Sequence, residues 1–274
     1  MRIVSLTCSN TEIVCALGLA ESLVGVDDHS DYPQEVVAAL PRVGPDLEID
    51  VERVEALEPD IVLASLTVPG HEKVVARLEA AGLPFLAPEP ESLEDVYRDI
   101  RLVAAALEVP DEGERVIAEM RWEMRSDMRS DMRSEAQEAQ EAQEADLGKD
   151  RPSLLVQWWP KPVIAAGRCS WVHDMIELAG ARNALEEDVK SRPMEDDEVA
   201  GLAPDAFVLS WCGVEPDKVR TDVVLDNPAF AGLEAVRCGR VFRIPEACLG
   251  RPSPRLVGGM RRLRETVSFV RASA

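Results

Sequence analysis

The sequence predicts an α/β protein built of two similar halves. Three observations point there. Short apolar runs alternate with amphipathic stretches of helical period along most of the 274 residues, the pattern of parallel strands joined by helices. The opening run Ile3, Val4 and Leu6 lacks an alternating polar face, as expected of a strand covered on both sides. And one phrase, a helix end followed by L-x-P-D and an apolar strand, occurs twice, as ALEPDIVLAS and GLAPDAFVLS.

Taken in order, residues 2–6 form the first strand and pass through the small polar loop TCSN into a helix that stops at Gly18. Ser9 or Asn10 is the expected cap. Glu12 falls in the first turn, where the helix dipole favours a carboxylate. Such a loop lies at the carboxyl edge of a parallel sheet, where ligands bind in open α/β folds. Residues 23–26 give a second strand, followed by the loop DDHSDYP, a short helix over 34–40 and a helix capped near Asp50. A proline-led strand over 61–64 leads through SLTVPG into a helix with a stop at Gly82. LPFLAP is a short strand and ESLEDVYRDIRLVAAALEV a long amphipathic helix. Residues 1–110 thus read as one α/β lobe.

Residues 111–150 read as a long linking helix with an extension that holds two tandem repeats, MRSDMRSDMRS and EAQEAQEAQEA. The period of four stacks Arg125, Arg129 and Arg133 in one column and Asp127 and Asp131 in another, so no Arg–Asp pair sits at i,i+3 or i,i+4. The extension reads as a solvated helix or loop, and no heptad marks a coiled coil. Residues 151–274 form the second lobe. Its strand SLLVQWW is followed by a loop, PKPVIAAGRCS, with a short extended piece. Then come a helix over WVHDMIELAGARN, a helix over PMEDDEVAGLAPD, the strand AFVLSWCG, a short helix, turn and strand over NPAFAGLEAVRCGRVFRIP, and a last helix over PSPRLVGGMRRLRETVSFV.

The formal net charge of −21 argues against nucleic acid and anionic lipid as partners. No apolar run approaches the roughly 20 residues of a membrane span. None of the six cysteines has C-x-x-C spacing, which argues against a zinc knuckle or a thioredoxin-like motif. No basic segment followed by an apolar one opens the chain, so the expected location is the cytoplasm, with free thiols. Removal of a leader would instead make the protein periplasmic or cell-surface.

The phrases SLTCSNTEIVCALGL, GVDDHSDYP, ERVEALEPDIVLAS, ELAGARNAL, LAPDAFVLS and NPAFAGLEAVRCGRVFRIP, in this order, resemble class III periplasmic-binding proteins. These are the cobalamin and ferric-siderophore receptors of ABC importers. SNTEI, SDYP and the SPR of RPSPR are most similar to the vitamin B12-binding branch. The resemblance implies two Rossmann-like parallel-sheet lobes joined by one long α-helix, with the ligand in the cleft between them. It implies a monomeric, non-catalytic binding protein without an intrinsic cofactor. Its ligand would be a metal chelate, above all a corrinoid such as cobalamin.

Carried over by position, the implied ligand-binding residues are Cys8, Ser9, Asn10, His29, Tyr32, Leu66, His71, Trp158, Trp159, Trp171, Trp211, Cys212, Cys248 and Arg251. All three histidines of the chain fall in or beside these loops, and so do Trp158, Trp159, Trp171 and Trp211. Flat aromatic surfaces suit a large macrocycle, while neutral imidazole from His29 or His71 suits its metal. Trp158 and Trp159 are adjacent on a strand, so they face opposite ways. The resemblance also implies docking to an importer permease through one exposed glutamate per lobe. Glu72 matches the first, but Gly250 stands at the second position, which predicts incomplete docking. The loops PDLE and ASLT lack the aromatic residues of the cobalamin branch. Three alternatives stay open: a haem, ferric-siderophore or bare-metal binder; a cysteine enzyme using Cys8 at a helix start, with His29 as its partner; and a scaffold without ligand.

Overall fold

The computed structural model describes residues 1–135 and 151–273. The expectation for the EAQ repeat lies outside the described residues, as do the side chains of the MRSD repeat from residue 126 onward. The chain forms two compact units, Met1–Pro90 with Glu94–Glu119 and Arg251–Pro254, and Glu91–Leu93 with Met120–Gly250 and Arg255–Ala274.

The first unit holds strands β1 (Ile3–Ser5), β2 (Leu23–Val26), β3 (Ile61–Leu63) and β4 (Phe85–Leu86). They form one sheet in the order β2-β1-β3-β4, and every pairing is parallel. Parallel neighbours need crossovers. These are α1 (Cys8–Ala16), α2 (Gln34–Val37), α3 (Val51–Ala56) and α4 (His71–Ala80), with α5 (Leu93–Ala106) and the start of α6 (Pro110–Glu135) following. The central strand β1 is fully buried along its length, which is why its sequence shows no alternation. Val4, Leu6, Val43, Ile49, Val54, Val62, Val74 and Leu78 form one of the cores.

The first helix starts two residues earlier than a Ser9 cap would place it, and three earlier than an Asn10 cap. Thr7 is the cap, and its Oγ1 accepts the Asn10 amide at 3.4 Å. Ser9 and Asn10 therefore lie inside the first turn, and Glu12 lies beyond it. The stop at Gly18 has the left-handed φ of 78° that glycine adopts without strain.

The second unit has β5 (Ser153–Pro160), β6 (Val163–Ala166), β7 (Arg182–Asn183), β8 (Ser191–Met194), β9 (Ala206–Leu209) and β10 (Val241–Arg243). The sheet runs β10-β9-β5-β6-β8, and β7 pairs with the start of β5. Its parallel half is β10-β9-β5. In the antiparallel half, β5-β6-β8, the short extended piece expected in PKPVIAAGRCS is β6, paired in a hairpin rather than lying in a loop. Lys161 and Pro162 make the turn of a hairpin there. The helix expected over PMEDDEVAGLAPD is corrected at its start: Pro193 and Met194 belong to β8, at the sheet edge, where a proline costs no ladder bond, and the helix begins at Asp196. Helices α7 (Trp171–Leu178), α8 (Asp196–Leu202), α9 (Asp222–Leu225), α10 (Glu234–Arg237), α11 (Glu246–Leu249) and α12 (Leu256–Ala272) complete it. Leu155, Phe207, Leu209, Trp211, Val224 and Phe230 are among its core residues. Gly259 is required for packing: a Cβ there would lie 2.0 Å from the Cys248 carbonyl oxygen.

Candidate functional site

In the first unit the loops that leave β1, β2 and β3 at their carboxyl ends are stitched together by buried polar groups. The amide of Asn10 donates to the Ala64 carbonyl at 2.7 Å, tying α1 to the end of β3. Thr11 Oγ1 lies 2.8 Å from both Ser5 Oγ and Ser30 Oγ, and Ser30 donates to Asp27 Oδ1 at 2.5 Å. The other Asp27 oxygen accepts the His29 amide at 2.9 Å. Burial pushes the Asp27 carboxyl above its usual range, and these hydrogen bonds pull the other way. Arg42 donates to the carbonyls of Asp27, Ser30 and Val37. The backbone of DDHSDYP is thus fixed, while the side chains of His29 and Tyr32 stay exposed.

His29 and His71 meet at one carboxylate. The Nε2 of His29 is 3.8 Å from Asp46 Oδ1, and the Nε2 of His71 is 3.6 Å from Asp46 Oδ2. His71 opens α4 and is buried. Its Nδ1 accepts the Val68 amide at 3.4 Å, so in the neutral ring the proton sits on Nε2, toward Asp46. No hydrogen-bond partner reaches that Nε2 among the described residues. The His71 contact, more than anything else, holds the Asp46 carboxyl below its usual range. Cys8 Sγ donates to the His29 carbonyl at 3.0 Å. Leu66 is half-buried in the loop after β3, and Ser9 and Asn10 are buried. Glu72 is exposed. Amide groups of α4's first turn, its own and that of Gly70 at 2.8 Å, lower its carboxyl.

Arg251 is bound up with carboxylates. Its Nη1 donates to Glu12 Oε1 at 3.1 Å and to Asp31 Oδ1 at 2.5 Å, and Nη2 donates to Asp31 Oδ2 at 3.2 Å. Ser253 donates to the other Glu12 oxygen at 2.5 Å. The Glu12 side chain is only 2% exposed, so segment 251–254 supplies the charge that this buried carboxylate needs. Arg251 therefore braces α1 and the Asp31–Tyr32 loop.

In the second unit the tryptophans divide. Trp211 is buried and donates to Gln157 Oε1 at 3.1 Å, and Trp171 is buried and donates to the Leu249 carbonyl at 2.7 Å. Both indoles are satisfied inside the unit. At the end of β5, Trp158 is half-buried and Trp159 is 41% exposed. Cys212 is exposed, its amide bonded to the Trp158 carbonyl at 3.3 Å, and Cys248 is half-buried. Gly250 ends α11, with Glu246 Oε1 2.8 Å from where a Cβ would stand. No group of three or more His, Cys, Asp or Glu side chains is arranged to hold a metal ion among the described residues.

Residues 3–248 match the family model described as periplasmic binding protein. The chain belongs to this family. It is 28% identical over 269 residues to the uncharacterized ABC transporter substrate-binding lipoprotein YvrC of Bacillus subtilis, covering 97% of this chain and 79% of that one. It is 24% identical over 271 residues to a vitamin B12-binding protein of Vibrio campbellii, covering 98% and 90%. The periplasmic heme-binding protein RhuT of Roseiflexus sp. RS-1, in apo form, superimposes with a TM-score of 0.78 at 29% identity, covering 98% of each chain. The resemblance read from the six phrases and the α/β class implied by it stand. This periplasmic binding protein is a substrate-binding component of ABC importers and not an enzyme. The cytoplasmic expectation is corrected: the family is periplasmic, and YvrC is named a lipoprotein.

Sequence reasoning missed Asp46, which lies in the loop PDLE, noted only for lacking an aromatic residue. It also missed the Glu12–Arg251 pair, which links positions 239 apart. No local pattern announces a contact at that separation. For Asp46 a signal existed: it lies between Gly44, at φ 103°, and the cap of α3, in a loop that must double back at the sheet edge.

Proposed function

We propose that this periplasmic binding protein carries a corrinoid to its importer, with residues 1–110 and 151–274 as its two ligand-bearing lobes. The observation that carries the reading is one large ring left exposed in each unit, Tyr32 at 49% in the loop after β2 and Trp159 at 41% near the end of β5. Exposed aromatic surface on fixed backbone binds a flat macrocycle at low entropic cost. The Vibrio campbellii relative named for vitamin B12 supports the same ligand. Cys8, His29, Leu66 and Trp158 join these rings as contacts, while Ser9, Asn10, Trp171, Trp211 and Arg251 hold the loops. A chelate brings its own equatorial donors, so one protein group suffices to reach its metal. The exposed His29 suits that role better than the buried His71. Glu72 serves the permease, with no carboxylate at Gly250 to match it.

Equilibrium dialysis against cyanocobalamin tests the reading. Saturable one-to-one binding at about micromolar or tighter is expected. No retention at roughly 100 μM ligand would remove it. Haem is the second reading, favoured by the likeness to RhuT at 29% identity. A haemin titration with a shifted Soret band that His29→Ala abolishes, together with no corrinoid retention, would put haem in its place.

A further inference from the structure

Carboxylates crowd the loops that bear His29 and His71. Asp28 is exposed beside His29, Glu72 beside His71, and Glu48 on the loop of Asp46, which is itself half-buried. Of the cations near these loops, Arg42 donates to three carbonyls, Arg251 pairs with Glu12 and Asp31, Arg53 pairs with Asp50, and Lys73 lies beside Glu72. At the centre stands Asp46, with the buried Nε2 of His71 aimed at one oxygen from 3.6 Å and lacking a hydrogen bond, and His29 at 3.8 Å from the other. The contact with His71 keeps Asp46 ionised to lower pH than an ordinary aspartate.

We propose that Asp46 makes this edge select among metal chelates by charge, admitting neutral or cationic ones and rejecting those that carry free carboxylates. The inference rests on the reading of this edge as the ligand site and names the ligand class it takes. A carboxylate arm approaching Asp46 meets a like charge beside a protein surface, where screening is weaker than in bulk water. A corrinoid with amide arms presents neutral donors and a positively charged cobalt centre. Selection of this kind works by repelling the wrong ligand as much as by holding the right one.

The test uses two corrins that differ in arm charge, cobinamide with amide arms and cobyrinic acid with carboxylate arms, titrated into the full chain by calorimetry. Wild type is expected to bind cobinamide about 100-fold tighter, and Asp46→Asn to narrow that ratio about tenfold. The exposed Glu48→Gln is a second variant that leaves the His71 contact intact, and it narrows the ratio by a smaller factor, about two- to threefold. Raising salt from about 50 mM to 500 mM narrows the wild-type ratio as well. Equal affinity of wild type for both corrins, or a ratio unmoved by both substitutions, overturns the inference while leaving the ligand site standing. No heat with either corrin overturns the site and the inference together.

Discussion

The sheet-end loops of the two units are built in opposite ways. In the first unit, polar groups are buried: Asp27, Ser30, Thr11, Ser5 and Glu12 form hydrogen bonds out of contact with water, and the rings of His29 and Tyr32 stand outside. In the second, two tryptophans are inside, each with its N–H satisfied, and Trp158 and Trp159 at the end of β5 reach the surface. Buried polar networks fix a backbone through directional bonds, whereas buried indoles fix it through packing volume and one bond each. The difference teaches that residue type alone does not separate scaffold from contact surface. Arg251, Trp171 and Trp211 have the chemistry of ligand contacts, and each is hydrogen-bonded within its own unit.

The largest effect should come from breaking the brace of the first unit. Arg251→Met removes a cation that pairs with the buried Glu12 carboxylate, which costs on the order of 3–5 kcal/mol. Chemical denaturation would show it. A loss below about 1 kcal/mol would mean that Glu12 finds another partner. Adding Glu12→Met should recover much of the loss, since replacing both members of a buried pair by apolar side chains is tolerated.

Next in size is the second unit's own brace. Trp211→Phe leaves Gln157 Oε1 without its donor in a buried site and should cost about 1–3 kcal/mol. Trp159→Ala, on half-exposed surface, should cost less than about 1 kcal/mol. Equal losses in the two variants would erase the distinction between brace and contact ring.

A smaller effect lies in the pH dependence of the first unit. Asp46 is lowered in the folded state, mainly by His71. Its contribution is therefore present above the unfolded carboxylate value and fades as pH falls through the lower folded one. Asp27 is raised, mainly by burial. Its contribution is present below the unfolded value and fades as pH rises through the higher folded one. Urea midpoints measured from about pH 2 to pH 7 should therefore shift in opposite senses for Asp46→Asn and Asp27→Asn, the first flattening the acid side and the second the rise side. Parallel shifts would show that one of the two environments is misassigned.

Much of the fold was legible because its signals are local. The run Ile3–Val4, the stop at Gly18, the cap at Asp50 and the repeated L-x-P-D each act within a few residues. The hairpin of β5 and β6 was not legible, because its turn carries Pro162 and its partner strand β8 carries Pro193, two residues that ordinarily argue against a strand. The candidate loops were legible as positions at the ends of strands. The roles within them were not: whether Arg251 meets a ligand or Glu12 depends on a contact across 239 positions, and whether a tryptophan is brace or surface depends on what its N–H reaches.

Intrinsic fluorescence with cyanocobalamin tests the central claim most directly, that exposed rings rather than buried ones carry the ligand. Wild type should be quenched saturably. Trp211→Phe should keep its ligand affinity within about twofold, and Trp159→Phe should lose about tenfold together with part of the quench. Trp159→Phe titrating like wild type, with Trp211→Phe losing affinity instead, would contradict the account.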